Sequence, residues 1–235
     1  MLRKLASIVR GTPDKKKTYR QESYSQCGED LIIDHVFHEL RMVQPGYIDI
    51  GAHHPRYINN TYLFYLKGSR GINIEPDPQL FEEFTRMRNG DINLNVGVGD
   101  TNGEADFYIM TEPTLNTFIK EEAERAEKEH AAYRIKEVRK LKINLLDDII
   151  RQYNNGNFPE LLSIDVEGLD EVILRSINYE TATPKVMCVE TLTFSTRGRG
   201  EKKTDLIEFI KSKGYIAYAD TYINTIFVKE DTWLR

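Results

Sequence analysis

Apolar positions along this chain switch repeatedly between two periods. Over 31–40, Leu31-Ile32, Val36-Phe37 and Leu40 recur at the spacing of one helical face. Short apolar runs follow at 46–51 and 71–76, the first closed by Gly51 and the second by Pro76, which reads as two strands. Residues 62–66 between them form a second predicted helix. Over 78–87, Leu80, Phe81 and Phe84 share one face and Glu82, Glu83 and Arg86 the other, so a helix is predicted there too. A third strand is expected over 93–100, running into a turn at Thr101-Asn102-Gly103, and another over 105–110. The segment 119–142 breaks this rhythm. It is strongly charged and rich in helix formers, which predicts a helical insertion, either a solvated surface helix or a lid. The pattern resumes with strand-like Leu141-Lys142-Ile143, a helix over 143–150, a strand over 161–168, a helix over 169–177 and a strand over 185–190. A helix over 204–212, stopped by Gly214, precedes an antiparallel strand pair over 215–222 and 225–229.

Strands that alternate with helices argue for an α/β fold of the Rossmann-like type. Its expected form is a mostly parallel central sheet with helices on both faces and a C-terminal antiparallel strand pair. The chain has 235 residues, 40% of them hydrophobic, enough for one domain over 23–235. Residues 11–22 read as a polar linker. Residues 1–10 are basic and amphipathic, a packed or frayed helix or a weak membrane-surface one. Together 1–22 form an N-terminal extension. A formal net charge of -5 argues against a nucleic-acid partner. No apolar run reaches the roughly 18 residues that a membrane-spanning helix needs, so no stable membrane insertion is expected. Cys27 and Cys188 have no metal-site spacing and suggest no disulfide framework, which fits a reducing cytoplasm.

Four stretches carry candidate chemistry. Ile48-Asp49-Ile50-Gly51-Ala52-His53-His54 ends a strand in an acid and a glycine turn. In open α/β sheets ligands sit at such carboxyl ends of strands. Asp49 could bind a cationic ligand group, and Gly51 would let the backbone approach a ligand. An ordinary strand-to-helix turn would look the same. Glu75, at the end of the next strand, could accept hydrogen bonds from both hydroxyls of a ribose. Asn95-Val96-Gly97-Val98-Gly99-Asp100 could form an adenine slot or simply a glycine-rich turn. Asp165-Val166-Glu167-Gly168 would put two carboxylates on one face of an extended chain, as base and orienter or as ligands of a divalent cation. Alternatively, Glu167 caps the next helix and Asp165 bonds nearby backbone. An adenosine-containing ligand follows from the first two stretches. The GxGxxG turn that cradles a pyrophosphate is absent, so S-adenosylmethionine fits better than NAD.

These stretches, with Tyr24-Ser25-Gln26-Cys27-Gly28-Glu29-Asp30, Gly71-Ile72-Asn73-Ile74-Glu75-Pro76-Asp77-Pro78 and Val189-Glu190, resemble in order those of the FkbM-type methyltransferases. The resemblance covers roughly residues 24 to 228. It implies a class I methyltransferase fold, S-adenosylmethionine as donor and O-methylation, often of sugars, glycans or polyketide-like products. Carried over by position, Asp49, Gly51 and Ala52 would flank the methionine part, and Glu75 with Pro76 would take the ribose. Asn95, Val96 and Asp100 would line the adenine pocket. Asp165 and Glu167 would lie nearest the methyl transfer, and Tyr24, Ser25 and Gln26 would close over the cofactor. Two positions depart from the family pattern: His53-His54-Pro55 replaces the usual Asn-x-Gly, and Asp170 stands where glutamate is more common.

A sugar hydroxyl is a weak acid, so a base or a metal should help remove its proton. The acid pair Asp165 and Glu167 leads the candidates for either role, followed by His53 and then His54. Thr114 and Thr117 could offer hydroxyls to an acceptor or cap a helix. The basic loop Ser195-Thr196-Arg197-Gly198-Arg199-Gly200 could hold an anionic group or remain solvated. The expected partner is a small-molecule acceptor, carbohydrate or nucleotide-sugar. The competing readings are N-methyl transfer, an NAD-linked oxidoreductase and a cofactor-binding module without activity.

Overall fold

The computed structural model describes residues 20–181, 183–193 and 200–234. The expectations for residues 1–10, and for the basic loop apart from Gly200, lie outside the described residues.

The chain runs α1 (Glu29–Glu39), β1 (Tyr47–Ile50), α2 (Tyr62–Leu66), β2 (Gly71–Ile74), α3 (Pro78–Met87), β3 (Ile92–Leu94), β4 (Gly97–Gly99) and β5 (Gly103–Met110). It continues through α4 (Lys120–Glu129), β6 (Ile135–Leu145), α5 (Leu146–Tyr153), β7 (Leu161–Ile164), α6 (Asp170–Ser176) and β8 (Val186–Glu190). It closes with α7 (Thr204–Ser212), β9 (Tyr215–Asp220), β10 (Asn224–Lys229) and α8 (Glu230–Trp233). Seven strands form the main sheet in the order β3-β2-β1-β7-β8-β10-β9. The first five are parallel, and β10 lies antiparallel to both β8 and β9. This is the Rossmann-like sheet expected, with its C-terminal antiparallel pair.

Side-chain alternation along these strands splits the core in two. Ile48, Ile50, Leu162, Ile164, Met187 and Val189 point to the face covered by α5, α6 and α7. Tyr47, Leu161, Val186 and Cys188 point to the face covered by α1 and α2. A period of two on strands buried from both sides produces this division. The strand order reverses between β1 and β7, because the chain leaves β1 towards β2 and later returns to β1's other edge. That switch point opens a crevice at the carboxyl ends of the strands.

Two expected elements come out differently. The strand over 93–100 is two short strands in two sheets: β3 edges the main sheet, while β4 pairs with β6 in a three-stranded sheet, β4-β6-β5. The chain bends at Asn95-Val96, where the Asn95 amide donates to the carbonyls of Glu75 and Pro76 at 2.8 and 2.7 Å. The charged segment 119–142 is helical only over Lys120–Glu129, and 135–142 belongs to β6. Its charges sit on an exposed ribbon, where Lys142 and Lys140 lie opposite Glu104 and Asp106 of β5. Such cross-strand pairs favour a ladder, and composition alone hides them.

Candidate active site

A cavity of about 490 Å³ opens at the switch point. Asp49, Gly51, Ala52, His53, Glu75, Pro76 and Val96 line it from one side, Asp165 and Glu167 from another, and Gln26 closes over it from the chain before α1. Of the residues expected to hold a cofactor, Tyr24, Ser25, Asn95 and Asp100 do not line it. Asn95 has spent its amide on the bend described above, and Asp100 is exposed. Tyr24 and Ser25 serve α1: the Asp30 carboxylate accepts from the Ser23 and Ser25 hydroxyls and from the Tyr24 N–H at 2.6–2.9 Å. The same segment is tied to the far end of the sheet by Glu29. Its buried carboxylate accepts from Thr221, Asn224 and the Cys27 N–H. Burial raises the Glu29 pKa, but those hydrogen bonds outweigh it and hold the group below its usual value.

Gly51 sits in the left-handed region at φ 73°, and a Cβ there would lie 1.8 Å from the Asp165 carbonyl oxygen. The glycine therefore lets the tips of β1 and β7 meet, a packing role beside the ligand-approach role read from the sequence. The Asp49 carboxylate is buried and accepts from Asn59 at 3.2 Å and Thr61 at 2.8 Å. Burial pushes its pKa up, against these bonds and the nearby Arg88 guanidinium. Glu75 ends β2 with each carboxylate oxygen accepting one backbone N–H, from His53 and from Asp77, both at 2.7 Å. Burial drives its pKa to about 8, with the two N–H donors opposing the shift. Each oxygen retains a lone pair for a ligand.

His53 reaches this arrangement through a positive φ of 55°. Its ring lines the cavity, and burial followed by repulsion from His54 lowers its pKa, so it is neutral at neutral pH. His54 is outside the lining. Its Nδ1 accepts from the Arg56 and Tyr57 N–H groups, which shapes the loop. Thr117 uses its hydroxyl on the Glu167 carbonyl at 3.0 Å and so braces the Asp165–Gly168 turn. In that turn Glu167 and Gly168 have φ of 47° and 108°. Thr114 bonds Glu112.

Asp165 and Glu167 both line the cavity, but the tightest carboxylate cluster among the described residues is a different one. One oxygen each of Asp165, Asp170 and Glu190 lie within 4.8 Å of one another, a spacing at which carboxylates could share a cation; Glu167 is not in the group. The cation present there is Lys203, whose Nζ is 3.2 Å from Glu190 and 3.5 Å from Asp170. Asp165 and Glu167 have no cation within ion-pair distance among the described residues. Burial first, then their acidic neighbours, raises both pKa values well above the usual range.

Sequence reasoning missed the layer behind the cavity. Arg88 is fully buried and pairs with equally buried Asp91 at 2.8 Å. It also donates to the Tyr47 hydroxyl, the Pro55 carbonyl, Asn59 and Thr61. Through Asn59 and Thr61 it fixes the loop that carries Asp49's partners. The only hint in the sequence was an arginine at the end of an amphipathic helix, where exposure is the rule.

A mostly parallel sheet with a switch-point crevice, a glycine turn after β1 and an acid after β2 define an α/β protein with a ligand cleft at the carboxyl ends of its strands. The family model described as "Methyltransferase FkbM domain" matches residues 49–217, more than half of the chain. The chain belongs to this family and is a methyltransferase. A search of curated proteins matched none.

Proposed function

We propose that this methyltransferase takes its methyl group from S-adenosylmethionine and delivers it to a hydroxyl of a small acceptor. The acceptor class is a sugar, glycan precursor or nucleotide-sugar. The observation that supports it best is one cleft holding both a ribose-competent carboxylate at Glu75 and an acidic corner at the tip of β7.

The residues fit such a donor. A cavity of this volume suits a nucleoside-sized ligand, by comparison with roughly 300–1,000 Å³ for small-molecule sites. The free lone pairs of Glu75 suit two vicinal hydroxyls. Val96, Leu80 and Phe118 offer an apolar slot for a flat base. A pyrophosphate finds no helix N-terminus after Gly51, because β1 is followed by an irregular loop and α2 starts only at Tyr62. This disfavours an NAD-linked reaction. When bound, the donor supplies a methyl carbon already activated by a positively charged sulfur.

The chain's own tasks are then orientation and proton handling. Glu75 and the Gly51 turn hold the nucleoside end, and Asp49 neighbours the amino-acid end. Gln26 limits access of water from the α1 side. Asp165 and Glu167 form hydrogen bonds to the acceptor so that its oxygen lines up behind the methyl carbon, and such alignment can supply much of the acceleration. Calorimetry with S-adenosylmethionine and with NAD tests the reading. Labelled methyl transfer to pooled hexoses, hexuronates and nucleotide-hexoses follows. Binding of NAD and not of S-adenosylmethionine would overturn it.

A further inference from the structure

The methyl-transfer reading above leaves open which group takes the hydroxyl proton, and the inference here rests on that reading. Four carboxylates crowd one corner of the cleft: Asp165 and Glu167 after β7, Asp170 opening α6, and Glu190 ending β8. Among the described residues a single ammonium, that of Lys203, serves them. Four adjacent carboxylates cannot all stay ionised beside one positive charge in a site withdrawn from water. Lys203 touches two of them, Asp170 and Glu190. Asp170 is fully buried, does not line the cavity, and spends its second oxygen on the Val166 N–H at 3.1 Å. Glu190 does line the cavity.

We propose that Glu190 is the catalytic base of this cleft, that Lys203 is the positioning residue that keeps it charged and aimed, and that Asp165 and Glu167 work in their neutral forms. The backbone is built to deliver Lys203 to that place. The Lys203 N–H donates to the Thr191 carbonyl at 2.8 Å, and the Thr193 N–H donates to the Glu201 carbonyl at 2.8 Å. The chain beyond β8 thus returns antiparallel to itself and sets Lys203 beside Glu190. In the reaction the acceptor oxygen bonds to the methyl carbon while the methyl–sulfur electron pair stays on sulfur and cancels its charge. The hydroxyl proton passes to a Glu190 oxygen and leaves to solvent after product release. Burial first, then Asp170, pushes the Glu190 pKa up to about 7 against the pull of Lys203, which suits a base working near neutrality. The titratable and charged groups facing Glu190 are Asp165 and Glu167 from the β7 turn, Asp170 from α6, Glu122 from α4, and Lys203.

Infrared titration of carboxyl bands in the full chain is the first test, on wild type and on Glu190→Gln, Lys203→Met and Lys203→Arg. Calorimetry with S-adenosylmethionine checks that each variant keeps its fold and donor site. The proposal expects a carboxyl band that titrates near pH 7, disappears in Glu190→Gln, moves to higher pH in Lys203→Met and stays in place in Lys203→Arg. In labelled transfer to the sugar pool, Glu190→Gln should lose at least about 100-fold in rate with donor binding retained. The alkaline-rising limb of the pH–rate profile should move upward in Lys203→Met. A band titrating near pH 7, distinct from that of Glu75 near 8, that is unchanged in Glu190→Gln, or transfer within a few-fold of wild type in that variant, overturns the assignment. Wild type that binds the donor but methylates nothing in the pool counts against the hydroxyl-acceptor reading, and the titration still decides on Glu190.

Discussion

At the scale of single residues, the cleft depends on positions whose chemistry is set by one or two neighbours. Gly51 is the sharpest case. Its backbone alone would cost a side chain roughly 1–2 kcal/mol. The Asp165 carbonyl oxygen, 1.8 Å from where a Cβ would stand, adds a clash that only a shift of β7 relieves. Gly51→Ala is therefore expected to lower the melting temperature by several degrees and to weaken donor binding at the same time, as thermal denaturation and calorimetry will show. Glu75 differs, because its two N–H partners would lose an acceptor without any steric conflict. Glu75→Ala should fold and lose about 5- to 150-fold in affinity for S-adenosylmethionine, the range for losing two hydrogen bonds worth about 0.5–1.5 kcal/mol each. Unchanged affinity in that variant would remove Glu75 from the donor site.

At the scale of elements, two buried acids hold pieces of chain against the sheet. Asp91 neutralises Arg88, and the pair anchors α3 to β1 and to the loop before α2. Removing one partner of a fully buried pair strands the other charge, so Asp91→Ala should cost about 3–5 kcal/mol in urea unfolding. Glu29 ties the start of α1 to the β9–β10 turn. Its folded pKa lies below its unfolded value, so its stabilisation is complete above the unfolded value and is lost as pH falls through the folded one. The stability gap between wild type and Glu29→Gln should accordingly shrink as pH drops from about 5 to about 3. A gap that stays constant across that window would show that the carboxylate's charge is not what anchors the helix.

At the scale of the whole molecule, the cleft is assembled from residues far apart in the chain, from Gln26 to Asn224. A ligand that binds only the folded cleft stabilises all of it. S-adenosylmethionine at 100 times its dissociation constant should add about 2.7 kcal/mol, visible as a rise in melting temperature, whereas NAD should add nothing. No helix among the described residues is long and apolar enough to cross a membrane.

Much of this molecule was legible in the order of its residues. Local periodicity marks α1, α3, β1, β2, β7 and β8, because burial on one helical face or on both faces of a strand leaves a repeat that nearest neighbours alone display. The turn glycine at Gly51 and the strand-end acid at Glu75 were visible for the same reason: each is a local event. Long-range pairing was not. Nothing near Asn95 says that its amide will bend one strand into two sheets, and the charges of 135–142 hide a ladder whose partners lie on β5. The helix pattern over 78–87 says nothing of Arg88, and Asp165 looked like the partner of Glu167. Only folding brought Arg88 to Tyr47 and Pro55, and Asp165 to Asp170, Glu190 and the ammonium of Lys203. The energy of a charge depends on which other charges and how much water surround it, and that is a property of the packed chain.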